Sequence, residues 1–158
     1  YRRLGKQLHI PHLHSHQRIW AVSGLDIAQA VSPYARALKL RGAGEEDGVP
    51  VLVMPFSEDV VGRPGFLHGG AISGLLEIAS IAALRAALAE SETKVRIKPI
   101  NVTVDFMRGG IDQDTFAIGR ITRLGRTLAT VEAVAWQDDR NRLIASAQMH
   151  YLLRSAED

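Results

Sequence analysis

The sequence has no cysteine, which excludes disulfides, a thiolate nucleophile and thiolate metal sites and agrees with a cytoplasmic protein. It has almost no excess of charge. Lys and Arg number 19 against 17 Asp and Glu, a formal net charge of +2, so no nucleic-acid partner is expected. Apolar runs of membrane length are lacking except for Ala71–Leu88, and that run is Ala-rich and holds Gly74, Glu77 and Arg85. A buried core helix suits it better than a membrane span. Arg2 and Arg3 lead into no apolar core, so no secretory signal is expected. Repeats, linkers and low-complexity segments that would divide the chain are lacking too.

What remains is an ordinary globular composition, 46% apolar and 23% charged over 158 residues, enough for one domain with a sizeable core. Residues 1–32 read as an N-terminal extension, partly helical, and residues 33–158 as the domain. The extension carries His9, His12, His14 and His16. Short His-rich tracts can bind metal, but Pro11 breaks any helix that would align these rings, and no metal site is assigned. Ser23 would cap a helix over Leu25–Ala30, and Ser32-Pro33 would open another over Tyr34–Leu38.

Beyond these, Leu38–Ala43 and Val49–Phe56 read as partner strands around Glu46-Asp47-Gly48, the Asp-Gly step being a strong hairpin signal. Lys94–Met107 alternates at Val95 and Ile97, then shifts phase to Ile100, Val102, Val104 and Phe106. A one-residue slip turns every later side chain to the other face, so a bulge near Pro99 is expected. Thr115–Arg123, Leu128–Trp136 and Arg142–Leu153 complete the strands. Ala129, Ala133 and Ala135 share one face of the second of these, and Leu143, Ala145, Ala147, Met149 and Tyr151 one face of the third. Inward alanines leave room for something bulky, and the long apolar helix is its natural occupant. The fold class is therefore α+β, a curved antiparallel sheet wrapped around one long central helix.

The stretch from Gly62 to Leu88 reads GRPGFLHGGAISGLLEIASIAALRAAL. Pro64, Gly65, Gly69 and Gly70 make a loop whose backbone can approach a ligand closely. The helix behind it is apolar on nearly all sides, and a lone carboxylate there is costly unless paired, solvated or used. Ser73, Glu77 and Ser80 stand at i, i+4 and i+7, one polar stripe. Glu77 reads either as a general base or nucleophile, or as a structural carboxylate paired with Arg85 or a neighbouring cation. Gly69 and Gly70 place backbone N–H groups at the helix N-terminus, where negative charge is favoured. Such groups can bind a developing oxyanion or simply form a cap. His68 would orient a ligand or pack the loop, and His150 reads as structural or exposed.

The run Leu67-His68-Gly69-Gly70-Ala71 with Glu77 nine residues after His68 resembles the signature of the hot-dog-fold acyl-CoA thioesterases, in the branch of the phenylacetate-pathway and 4-hydroxybenzoyl-CoA enzymes. The likeness extends through Ile100–Met107, Gly125-Arg126-Thr127-Leu128-Ala129 and Leu143-Ile144-Ala145, roughly residues 33–153. It implies a hot-dog fold and hydrolysis of an acyl-CoA thioester. Glu77 would be the catalytic carboxylate, the Gly69 N–H would polarise the thioester carbonyl, and His68 and Gly70 would shape the loop. Ser73, Ser80 and Gly62 would face substrate, Gly62 standing where many relatives carry Asn. Arg123 and Arg126, with Arg120 nearby, would meet the coenzyme A phosphates. The resemblance also implies a homodimer or homotetramer with sites at the subunit interface, and no cofactor, membrane or nucleic-acid partner. A non-catalytic acyl-CoA or fatty-acid binding protein is the alternative. A hydratase on this fold would carry an Asp-His pair in another motif, which the sequence lacks.

Overall fold

The computed structural model describes residues 32–89, 91 and 94–155. The four N-terminal histidines, Ser23 and the expected Leu25–Ala30 helix lie outside them. The chain begins with a short helix α1 (Pro33–Ala37), opened as expected by Ser32, whose hydroxyl accepts the Ala35 N–H at 3.1 Å. A two-stranded unit follows, β1 (Arg41–Glu46) and β2 (Val49–Met54). They meet at the two-residue turn Asp47-Gly48, with φ of 50° and 77°, the left-handed pair that matches strand twist in a tight hairpin. β1 starts later than the pattern suggests. Leu38 still donates to Tyr34 in the helical end of α1, and Lys39 turns the chain at φ 55°.

The long helix α2 (Gly69–Leu88) is succeeded by β3 (Val95–Phe106), β4 (Thr115–Leu124), β5 (Leu128–Trp136) and β6 (Ala145–Ser155). All pairings are antiparallel, in the order β1-β2-β4-β5-β6-β3. The fold is the expected one, a six-stranded curved sheet around one central helix. The register of β3 on β6 slips between Pro99 and Asn101, where the phase of the pattern changes. β6 begins at Ala145 rather than Arg142, because the Arg142 N–H closes a turn on the Asp139 carbonyl at 3.0 Å. Leu143 accordingly leaves the helix-facing row and joins Val51, Ile118 and Trp136 on the outer face of the sheet.

The helix lies on the alanines of the sheet. Ala129, Ala133, Ala135, Ala145 and Ala147 are all buried against Leu75, Ala79 and Ala82. Gly119 marks the closest approach, since a Cβ there would stand 2.8 Å from the Ala79 carbonyl oxygen and 2.9 Å from the Ser80 Cα. Neither is the end of a flexible side chain, so the helix would have to lift. Gly119→Ala is expected to lower stability by about 1–3 kcal/mol, read as a lower urea midpoint at unchanged slope.

At the other edge the helix does not cover the sheet. Ile100, Val102 and Phe106 on β3 are each more than half exposed, on an edge strand of 12 residues. A long apolar edge strand is a template for pairing with another chain.

Candidate functional site

The loop before α2 is fixed by backbone hydrogen bonds on both sides. His68 N–H donates to the Val60 carbonyl at 2.8 Å, Leu67 N–H to the Gly110 carbonyl at 2.9 Å, and Gly62 N–H to the Phe66 carbonyl at 3.0 Å. Gly65 turns it with φ 77°, a value that favours glycine. The segment carrying Gly110 is in turn clasped by Gln137, whose side chain bonds both the N–H and the carbonyl of Ile111. Gly62 is exposed, and a Cβ there would come within 3.0 Å of the His68 backbone. A side chain at this position would need the His68 backbone to give by a few tenths of an ångström.

His68 is the N-cap of α2. Its Nδ1 accepts the Gly70 N–H at 2.9 Å, so the proton of the neutral ring sits on Nε2, and its carbonyl accepts from Ala71 and Ile72. The Gly69 N–H alone is left over. Among the described residues it has no acceptor, and it lies at the positive end of a 20-residue helix. Phe106 of β3 flanks it, 3.3 Å from where a Gly69 Cβ would be.

Eight residues on, Glu77 is half-buried between Leu76 and Ile78, both buried. Its carboxylate pairs with no cation among the described residues, where the ion pairs are Lys39–Asp59 and Arg140–Glu46. The reading of Glu77 as a structural partner of Arg85 thus has no contact behind it. Ser73 uses its hydroxyl on the Gly69 carbonyl at 2.9 Å. Ser80, expected to face substrate, is wholly buried instead. Its hydroxyl meets the Glu77 carbonyl at 2.8 Å, the Met149 sulfur at 3.0 Å and the hydroxyl of Tyr151.

Tyr151 was not singled out by pattern as a site residue, although the inward alternation of β6 places it under the helix. Burial raises its hydroxyl from the ordinary 10.0 to about 12, opposed by the Ser80 hydrogen bond and helped by the nearby Glu77 carboxylate. Between these values the unfolded chain has lost a proton that the folded chain keeps. The stabilisation is complete below about pH 10 and disappears as pH rises through about 12, a loss of roughly 2–3 kcal/mol. Urea denaturation across that window should show the loss in the wild type in excess of that in Tyr151→Phe.

Arg123 and Arg126 lie toward the far end of α2. Both are exposed, and Arg126 lines a cavity of about 750 Å³ with Leu88, Val95, Leu124, Leu153 and Arg154. The structure therefore joins His68, Gly69 and Gly70 at one end of α2, sets Glu77 in its middle and leaves the arginines at the other end. Among the described residues no three His, Asp or Glu side chains are grouped to hold a metal ion.

Comparison with known proteins bears on this arrangement. The sequence pattern of the thioesterase superfamily matches residues 64–144, just over half of the chain, from the loop through α2 to the start of β6. The chain belongs to the thioesterase superfamily. A solved protein from Chromobacterium violaceum shares 30% identity over 87% of this chain and 97% of its own, with a TM-score of 0.67. Zebra fish thioesterase superfamily member 2 shares 25% identity over 80% of this chain and 91% of its own, with a TM-score of 0.66. A thioesterase from Haemophilus influenzae, 18% identical over 84% of this chain and 90% of its own, is alike in fold, with a TM-score of 0.72. No curated protein matches. Superfamily membership supports thioester hydrolysis as the general activity.

Proposed function

We propose that this protein hydrolyses acyl-CoA thioesters, in the manner of the phenylacetate-pathway and 4-hydroxybenzoyl-CoA branch, at sites shared between two copies of the chain. The observation that carries the reading is a Gly69 N–H that has no acceptor among the described residues, on the same helix as a half-buried Glu77 that pairs with no described residue. Thioester hydrolysis needs these two groups. Negative charge grows on the carbonyl oxygen, and an N–H at a helix N-terminus is aimed at it without reorganisation. Water must lose a proton as it attacks, and a carboxylate takes it; as a nucleophile the same carboxylate would attack the carbonyl carbon directly.

One chain does not bring the two together. Gly69 and Glu77 are about 12 Å apart along the helix axis, and the first N–H of a helix points away from the helix body. An oxygen bound there sits about 3 Å further out, while the Glu77 side chain recovers only a few ångströms, so a gap of roughly 10 Å remains. A carboxylate, a water and a carbonyl carbon in contact span about 6 Å. A second copy across the β3 edge supplies what is missing. Gly69 lies beside Phe106, while Ser80, close to Glu77, meets Tyr151, which pairs with Pro99. Antiparallel β3 strands centred between Val102 and Thr103 set Phe106 of one copy against Pro99 of the other. The Gly69 of each then approaches the Glu77 of its partner.

In this arrangement the coenzyme A arm runs along the helix that supplies Glu77, toward Arg123 and Arg126, about 16 Å past the carboxylate for the end of the helix at Leu88. These guanidinium groups suit its phosphates. A panel of acyl-CoAs assayed with a thiol-detecting reagent tests the reading. Release of free CoA from at least one of them is the expected result. Saturable binding of acyl-CoA with no CoA released would instead fit a binding protein and would end the enzymatic reading.

A further inference from the structure

A thioester held at the Gly69 N–H has two arms, and the charged one has been placed. The structure points to where the other goes. A cavity of about 660 Å³ adjoins the loop, lined by Tyr34, Leu38, Val61, His68, Gly70 and Ala71 among others. The larger cavity containing Arg126 opens at the far end of the helix. The cavity beside the loop sets the apolar side chains of Ala37, Leu38, Val61 and Ala71 beside polar groups, the edge of His68 and the carboxylate of Asp59, which lies 3.2 Å from Lys39. The pair carries no net charge, so it gives the coenzyme A phosphates no free cation to bind. The apolar part of the wall is the part suited to an acyl arm.

Tyr34 commands this cavity. It is 48% exposed, and its hydroxyl donates to the Gly70 carbonyl at 3.4 Å, a long bond that leaves the ring adjustable. The ring lies against α2 where the helix has no side chain. A Cβ at Gly74 would stand 2.5 Å from Tyr34 Cε1. Glycine inside a helix is unfavourable by about 1 kcal/mol relative to alanine, so the aromatic contact explains an otherwise weak choice. Gly70 and Gly74 are one turn apart, and Glu77 follows on the next turn. The ring therefore sits over the stretch of helix between the oxyanion donor and the carboxylate's turn.

We infer that Tyr34, seated on Gly74, is the specificity-determining residue of the acyl pocket and restricts it to compact, uncharged acyl groups. The inference rests on the proposed thioesterase activity. With the ring in place the cavity ends at Tyr34; with the ring removed it runs on over the Gly70–Gly74 groove. Each added methylene in an apolar pocket changes discrimination by a factor of about 10 to 200 where it fits or fails to fit.

The test measures kcat/KM for acetyl-, butyryl-, phenylacetyl- and octanoyl-CoA with wild type, Tyr34→Ala and Tyr34→Trp. Tyr34→Ala should raise the octanoyl-to-butyryl ratio at least about tenfold, and Tyr34→Trp should lower it. Gly74→Ala, which displaces the ring, should move the ratio in the same direction as Tyr34→Ala. A wild type active on some member of the panel, with ratios in both Tyr34 variants within about twofold of its own, overturns the inference and leaves the thioesterase reading intact. A wild type that releases CoA from no member removes both.

Discussion

Glu77→Gln is expected to lower kcat by about 10²- to 10⁴-fold, with KM little changed and the thermal midpoint close to that of the wild type. Glutamine keeps the shape of the side chain and removes the group that accepts a proton or attacks carbon. Stability should hold because the carboxylate makes no hydrogen bond or ion pair with a described residue, so its loss leaves no partner unsatisfied. The hydrogen bond that Ser80 makes here goes to the Glu77 backbone carbonyl at 2.8 Å and is untouched by the substitution. Single-turnover release of CoA, followed beside a thermal melt, checks both halves. A variant that hydrolyses as fast as wild type would remove the carboxylate from the reaction.

Gly69→Pro is expected to lower kcat by about 10²- to 10³-fold, the effect of removing one oxyanion donor. The substitution is unusually clean at this position. Proline belongs at the first helical position, where its missing N–H is an orphan in any case. His68 before it is already extended, at φ −70° and ψ 134°, as a residue preceding proline prefers. The Cβ of the new ring would stand 3.3 Å from the tip of Phe106, a distance that a shift of a few tenths of an ångström relieves. The loss of activity would report removal of the N–H together with the Cδ methylene that takes its place, and the same assay with a melt separates it from unfolding.

Much of this architecture is legible in the residues. The Asp47-Gly48 hairpin, the slip at Pro99 and the alanine rows under α2 follow from turn chemistry and period-two patterning, which are local. The helix that buries nearly all its sides is legible from Ala71–Leu88 because only a central helix can do so. What the pattern does not carry is tertiary. Ser80 shares a stripe with Glu77, yet the curve of the sheet puts it under Tyr151, with no exposed surface. Leu143 alternates correctly with Ala145 but falls to the other face because Asp139 and Arg142 close a turn first. Tyr34 looks like a first-turn helix residue, and its contact with Gly74, forty positions away, has no local signal. The division of labour between Gly69 and Gly70 is likewise invisible in HGG; it appears when His68 Nδ1 is seen to occupy the second amide and not the first.

The shared site is the centre of the account, and mixing two inactive chains tests it most directly. Glu77→Gln and Gly69→Pro chains, unfolded together in equal amounts and refolded, form mixed dimers in about half of the molecules. If Glu77 of one copy works with Gly69 of the other, each mixed dimer holds one site with both groups intact and one with neither. The mixture should then recover about a quarter of wild-type activity, while each variant refolded alone stays inactive. If the two groups act within one chain, every site in the mixture carries a lesion, and activity that stays at the level of the separate variants would contradict the account.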